Sequence, residues 1–280
     1  MPTVGVTRAK MPKSLFDEYN KALDVTGDVG PELFDYYGGI VCVNGSCMKI
    51  ADLDHPVSAK AAFAASVNHK DLERLATFLD VECLNIKGLR SFDLSALAHL
   101  PSLRALFINW APKLESFSGL EKLNQLRLLR IVQFSKVQDI ALVKELDRLV
   151  ALELSGGFSK PQKILSLNGL QDMPSLQELW LLNVKVLEEG LRPLSRSLSL
   201  RDLRVSNQFA TEDYAYLAAK MPYLRCDKCV PYVPCGDYGS GKDVMVTGRR
   251  KPFLNSKTDA DKLARYVQKF EKMVAEFKKD

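Results

Sequence analysis

Leu103-Arg104-Ala105-Leu106-Phe107-Ile108 and, 23 residues further on, Leu126-Arg127-Leu128-Leu129-Arg130-Ile131 write one pattern twice. The pattern is L-x-x-L-x-L, with Val or Ile allowed for Leu. It also occurs at Val81/Leu84/Ile86, Leu149/Leu152/Leu154, Leu176/Leu179/Leu181 and Leu200/Leu203/Val205, and a degenerate seventh copy starts at Leu224. Successive first positions lie 22, 23, 23, 27, 24 and 24 residues apart. A regular period of this kind marks stacked repeats. In a short strand the side chains alternate, so the three apolar positions face one side and the residues between them the other. One such unit cannot bury its own apolar side, but a stack can.

The chain must return between strands, and apolar residues recur there, as in Leu114, Phe117, Leu120 and Leu123. Asp139 to Leu146 and Thr211 to Met221 are predicted to be helical, and the other returns short helical turns. The fourth copy is longest, with Gly156-Gly157-Phe158-Ser159-Lys160-Pro161 expected to loop out.

With these residues in view, the ladder resembles the leucine-rich-repeat superfamily. The phrase Leu114-Glu115-Ser116-Phe117-Ser118-Gly119-Leu120-Glu121-Lys122-Leu123 is similar to the short repeats of internalin-like proteins. The resemblance covers roughly half of the chain. It implies an α/β leucine-rich-repeat solenoid with a parallel sheet on its concave face, and a protein-binding role. The chain departs from the family in one respect. Family repeats commonly carry Asn or Cys three positions after the last strand leucine, where this chain has Leu89, Ala111, Phe134, Gly157, Val184 and Gln208. Regular family curvature therefore does not follow.

A solenoid needs non-repeat caps at both ends. Three regions are expected: an N-terminal cap over 1–79, repeats over 80–225 and a C-terminal cap over 226–280. In the first, Ser14 to Val25 reads as a short amphipathic helix through Leu15, Tyr19 and Leu23, followed by breaks at Gly27, Gly30 and Pro31. Asn44-Gly45 between two β-prone runs predicts a hairpin, with Cys42 and Cys47 flanking the turn as facing core residues. Ser58 reads as the cap of a helix through Ala65, and Asn68 as the cap of a second helix from His69 to Phe78.

Counting from each first leucine, three rows should line the concave face. The third-position row is Cys83, Ala105, Leu128, Ala151, Glu178, Asp202. The fifth is Asn85, Phe107, Arg130, Glu153, Trp180, Arg204, and the seventh is Lys87, Asn109, Val132, Ser155, Leu182, Ser206. Nothing in the repeat requires aromatics here, and aromatics and Arg are enriched at binding hot spots. Phe107, Leu128, Val132, Trp180 and Leu182, bordered by Arg130, Glu153 and Arg204, with Trp110 just beyond its strand, form the candidate partner-binding patch. Cover of this strip by a folded-back cap or tail is the competing reading.

Composition narrows the function classes. Of 280 residues, 46% are hydrophobic and 26% charged, enough for a core and for solubility. No apolar run opens the chain, and none is long enough to span a bilayer. The six cysteines are expected as reduced thiols in a cytoplasmic protein. The net charge is +5, and the segment 242–280 alone holds eleven Lys/Arg against six Asp/Glu. The rest is balanced, which disfavours nucleic acid and membrane as partners.

No residues group as a catalytic or metal site. His55, His69 and His99 each stand alone. Cys226-Asp227-Lys228-Cys229 with Cys235 has too few partners for zinc. Gly236 to Lys242 matches G-x-x-x-x-G-K, but Asp243 follows where Ser or Thr is needed, so a hairpin turn is expected. Thr258 to Asp261 reads as the capped start of a strongly amphipathic last helix. The expectation is a non-enzymatic module that binds a protein partner without cofactor or metal. The alternatives are an enzyme or metal-dependent activity in the C-terminal segment, or basic-tail binding to nucleic acid or an anionic membrane.

Overall fold

The computed structural model describes residues 14–16, 39–236 and 241–279. The predicted helix Ser14 to Val25 lies outside them apart from its first three residues, as do the breaks at Gly27, Gly30 and Pro31 and residues 237–240 of the G-x-x-x-x-G-K stretch.

Each copy of the ladder becomes one strand. These are β4 (Leu79–Lys87), β5 (Ala105–Asn109), β6 (Leu128–Val132), β7 (Ala151–Ser155), β9 (Glu178–Leu181) and β11 (Asp202–Val205), all parallel and in register along the repeat. The degenerate copy at Leu224 contributes only a single bridge, Asp202 to Arg225. The repeated Leu, Ile and Val side chains point away from the concave face. They join Leu97, Phe117, Leu120, Phe134, Val143 and their equivalents from the returns in one continuous core. A stack of this kind buries in the sum what no unit buries alone.

The returns are opened by a second ladder. Asp93, Ser116, Asp139 and Ser166 each accept, through the side chain, the backbone N–H two residues on. Their spacings of 23, 23 and 27 residues repeat those of the corresponding strands. These local turns lead into short 3-10 helices at Ser95–His99, Leu120–Lys122, Ala141–Glu145 and Leu170–Asp172, and a fifth such helix, without that turn, lies at Arg192–Arg196. Thr211 to Lys220 is an α-helix, as expected, and β8 (Gln162–Ile164) and β10 (Val184–Val186) form a separate parallel pair in the returns after β7 and β9.

The missing Asn ladder is replaced by main chain. Trp110 and Gln133, which follow β5 and β6, have positive φ, as does Asn183 two residues after β9. Left-handed backbone at the exit aims main-chain groups at the next coil. Leu89 N–H donates to Trp110 O and Ala111 N–H to Gln133 O, both at 2.9 Å. The former Asn positions Leu89, Ala111, Phe134 and Val184 are then free to be apolar, and they are buried.

Before β4 the structure departs from expectation. Val57–Ala65 is not a helix but a nine-residue strand, β3, parallel to β4. Its alanines favour helix intrinsically, but pairing on both edges overrides that weak preference. The Asn44-Gly45 hairpin forms as expected between β1 (Ile40–Val43) and β2 (Ser46–Lys49), with positive φ at both turn residues. It runs antiparallel to β3 and ends a nine-stranded sheet in the order β11-β9-β7-β6-β5-β4-β3-β1-β2. Cys42 and Cys47 are not reduced core thiols. They pair across the hairpin and are joined by a disulfide on its outer side, while Val41 and Val43 face the core. A cross-strand pair at this close approach brings the sulfurs together whatever the core requires. Helix α1 (His69–Phe78) forms with the expected boundaries, and Asn68 and Asp71 complete a reciprocal capping box.

Downstream, α2 (Thr211–Lys220) packs against α3 (Ala260–Phe277), where the Tyr216 and Phe277 rings meet edge to face at 5.3 Å. The start of α3 differs from the predicted cap. The N-cap residue is Asp259 and makes no side-chain cap bond, while Asn255 closes the turn just before the helix by accepting the N–H groups of Lys257 and Thr258. A small antiparallel sheet of β12 (Tyr232–Pro234), β13 (Val244–Val246) and β14 (Phe253–Leu254) lies between the helices in sequence. The G-x-x-x-x-G-K stretch therefore joins two antiparallel strands rather than a strand and a helix.

Candidate interaction surface

Register alone builds the concave face. Ala61, Cys83, Ala105, Leu128, Ala151, Glu178 and Asp202 stand side by side across the sheet. Beside them run Phe63, Asn85, Phe107, Arg130, Glu153, Trp180 and Arg204. The first row is mostly short, so it forms the floor of a trough. The second carries the long side chains.

That trough is occupied. Phe16 inserts into it and clusters with Cys83, Ala105, Phe107, Leu128 and Ala151, and is itself 2% exposed. Its ring lies 6.2 Å from Phe107 and meets Trp180 edge-on at 5.5 Å. Phe107 is consequently 4% exposed, and Leu128 is buried with it. The candidate strip does come together, but its centre lies under Ser14–Phe16. Trp180, Arg130, Val132, Leu182 and Arg204 stay half-buried around it. Burial also pushes the Cys83 thiol up to about 12.

Two buried carboxylates organise the polar edge. Glu178 accepts the Leu15 N–H on Oε2 at 2.8 Å and the Trp180 Nε1–H on Oε1 at 2.5 Å. The Arg204 guanidinium stacks over the Trp180 ring, 4.4 Å from its centroid. Glu153 pairs with Arg130 at 2.9 Å and accepts the Ser155 hydroxyl at 2.9 Å. Burial outweighs both contacts and raises the Glu153 carboxyl above its usual range.

The competing reading of the sequence, cover by a folded-back cap, is the one that holds over the centre of the strip, but the sequence did not name Leu15 and Phe16 as that cover or Glu178 as its anchor. The switch in this row from the apolar Cys83, Ala105, Leu128 and Ala151 to the carboxylates Glu178 and Asp202 was the available signal. The contact Glu178 serves, however, spans 163 residues of sequence.

A second region lies where the strands end. Trp110 is 53% exposed and holds a φ of 66°. It leans over Gly88 and borders an open cavity of about 190 Å³ with Pro112, Gln133, Gly157, Lys160 and Pro161. The expected loop of the fourth copy forms the far wall, and its Phe158 is fully exposed. Gly156 permits the loop to start here, since a Cβ would fall 2.3 Å from Asn183 O.

The C-terminal candidates resolve differently. The Cys229 thiol hydrogen-bonds Cys226, whose sulfur also receives the Lys228 and Cys229 N–H groups. The exchange holds Cys226 below the usual thiol value and Cys229 well above it. Among the described residues no group of three or more His, Cys, Asp or Glu is placed to hold a metal ion. Asp243 is committed to structure, accepting both the backbone N–H and the hydroxyl of Ser256. No described helix is long and apolar enough to cross a membrane.

No protein-family model matches the sequence, and no curated protein matches it. Among solved structures, an internalin (inlF) from Listeria monocytogenes str. 4b F2365 is similar over 65% of this chain, at 21% identity and a TM-score of 0.44. This chain spans half of that one. Internalin C2 (inlC2) from the same strain is similar over 65% of this chain and 74% of its own, at 22% identity and a TM-score of 0.45. A third likeness, at 21% identity and a TM-score of 0.33 over 50% of this chain, is to the TLR13 chain of a TLR13–ssRNA13 complex, of which it covers 23%. By its own period, register and return geometry, the chain folds as an α/β solenoid of leucine-rich repeats with a parallel sheet on one face.

Proposed function

We propose that this protein is a non-enzymatic interaction module. It binds a protein partner along the concave face and the rim formed by Trp110 and the 156–161 loop. The observation that carries the reading is Trp110. A bulky side chain in left-handed backbone is an uncommon and costly choice, and here more than half of it remains in solvent. The main-chain bonds between coils account for that backbone, as they do at Gln133, but they place no demand on the side chain, and an exposed indole is not needed for them. An aromatic anchor beside an open cavity, whose far loop also carries the fully exposed Phe158, is the chemistry of a binding hot spot. Half-buried Arg130, Val132, Leu182 and Arg204 extend the surface inward from this rim.

The test is affinity capture from lysate of the native cell, comparing the intact chain with the Trp110→Ala/Phe158→Ser variant. A protein recovered by the first and lost by the second is the expected result. Equal recovery by both would remove the rim from the binding surface.

A further inference from the structure

Phe16 enters the concave cluster from outside the sheet, and its seat has the properties of a built site. The floor is short where an aromatic ring has to fit, at Cys83, Ala105 and Ala151. Phe107 and Trp180 wall it with rings at 6.2 and 5.5 Å. Glu178, 3% exposed, presents Oε2 to a backbone N–H arriving just before the ring. An occupant without that donor would bury a carboxylate oxygen with an unmet acceptor.

We propose that this seat recognises a short peptide segment of the partner protein, one that places an aromatic side chain directly after a residue with a donating backbone N–H. Ser14–Phe16 is its resident competitor. The inference rests on the interaction reading above and names the chemistry of the partner at that surface.

Two observations support exchange over permanent cover. The contact made by the described residues 14–16 carries no charge: it consists of one backbone hydrogen bond to Glu178, the Phe16 ring and Leu15 packed against the same cluster. The seat is also continuous with the proposed interface. Phe107 stands on the same strand that delivers Asn109 and then Trp110 to the rim, so a bound segment crossing β5 reaches both. A segment tethered in cis competes through its effective concentration, not through strong contacts, and a partner of higher intrinsic affinity displaces it.

The seat carries its own reporter. Trp110 and Trp180 are the only tryptophans, so a Trp110→Phe background leaves Trp180 alone, in contact with the seated ring. The probe is a synthetic peptide of residues 10–20 of this chain, titrated into the full chain with native Phe16 and into its Phe16→Ser and Leu15→Pro variants. Leu15→Pro deletes the donated N–H without touching a repeat. The expected result is a saturable change in Trp180 emission in both variants, with a midpoint at least tenfold lower than in the native chain. A peptide with its Phe replaced by Ala should give no such change. The same midpoint in native and variant chains, or no saturable response in either variant while both still unfold cooperatively, would overturn the proposal. A native dimer that dissociates on Phe16→Ser would also overturn it, by assigning the seat to a second copy. If capture of a partner depends on Trp110 but the peptide never competes, the seat fails and the interaction module stands. If the peptide competes but capture ignores Trp110, the rim fails and the seat stands.

Discussion

Phe107 and Trp110 stand three residues apart and end in opposite surroundings. Phe107 faces the concave side of β5 and disappears beneath Phe16, whereas Trp110 lies just past the same strand and stays in water with a left-handed backbone. Strand alternation determines which side a residue faces. Whether that side meets solvent depends on what else the chain lays over it. The concave trough is a small second core assembled by one long-range contact. The rim is a surface where the backbone is tied to the next coil and the side chain is left in solvent.

The comparison can be broken most severely from the main core. Leu129→Ala beneath the sheet should cost about 3 kcal/mol in denaturant unfolding, the ordinary cost of a buried leucine cavity. Phe107→Ala should cost less, about 2 kcal/mol, because Phe16 can move to fill part of the space. A Phe107 cost equal to that of Leu129 would mean the trough is ordinary core. At the rim, Trp110→Gly relieves positive φ while losing its packing on Gly88. Its effect on stability should stay within about 1 kcal/mol of zero, with the large effect confined to partner capture.

The smallest effect concerns pH. Burial raises the Glu153 carboxyl above 4.5. Between that unfolded value and the raised folded one, the folded chain binds more protons than the unfolded chain. Stability therefore falls as pH rises through this window. Glu153→Gln should remove that slope in unfolding curves measured from pH 4 to 7, and persistence of the slope would reassign it to another group.

What could be read in the sequence follows from distance along the chain. The six strands, the Asn44-Gly45 hairpin and the Asn68-capped helix each depend on residues close together, and all were legible. The second ladder of Asp93, Ser116, Asp139 and Ser166 was equally local, yet polar turn residues attract less notice than leucines. β3 was misread because Ala59 to Ala65 reports intrinsic preference, while its two sheet neighbours decide the outcome. The Cys42–Cys47 bond was misread because a compartment argument was set against simple adjacency across a hairpin. The concave face was legible as a set of residues, since register follows from the period. Cover by a folded-back cap was among the readings, but the residue that provides it was not legible, because nothing near Phe16 in sequence points to Glu178.

The hairpin at the sheet's edge also governs how long this protein can be. A parallel ladder accepts further coils wherever it ends in a parallel strand. Here strand polarity reverses at β1 and again at β2, and the outermost strand is four residues long, carries Lys49 and is stapled by the disulfide. Such an edge is a poor template for another chain. A designer lengthening the array should therefore splice new units between β4 and β11, where every junction joins like to like, and leave the described edge from Ile40 to Ala65 intact.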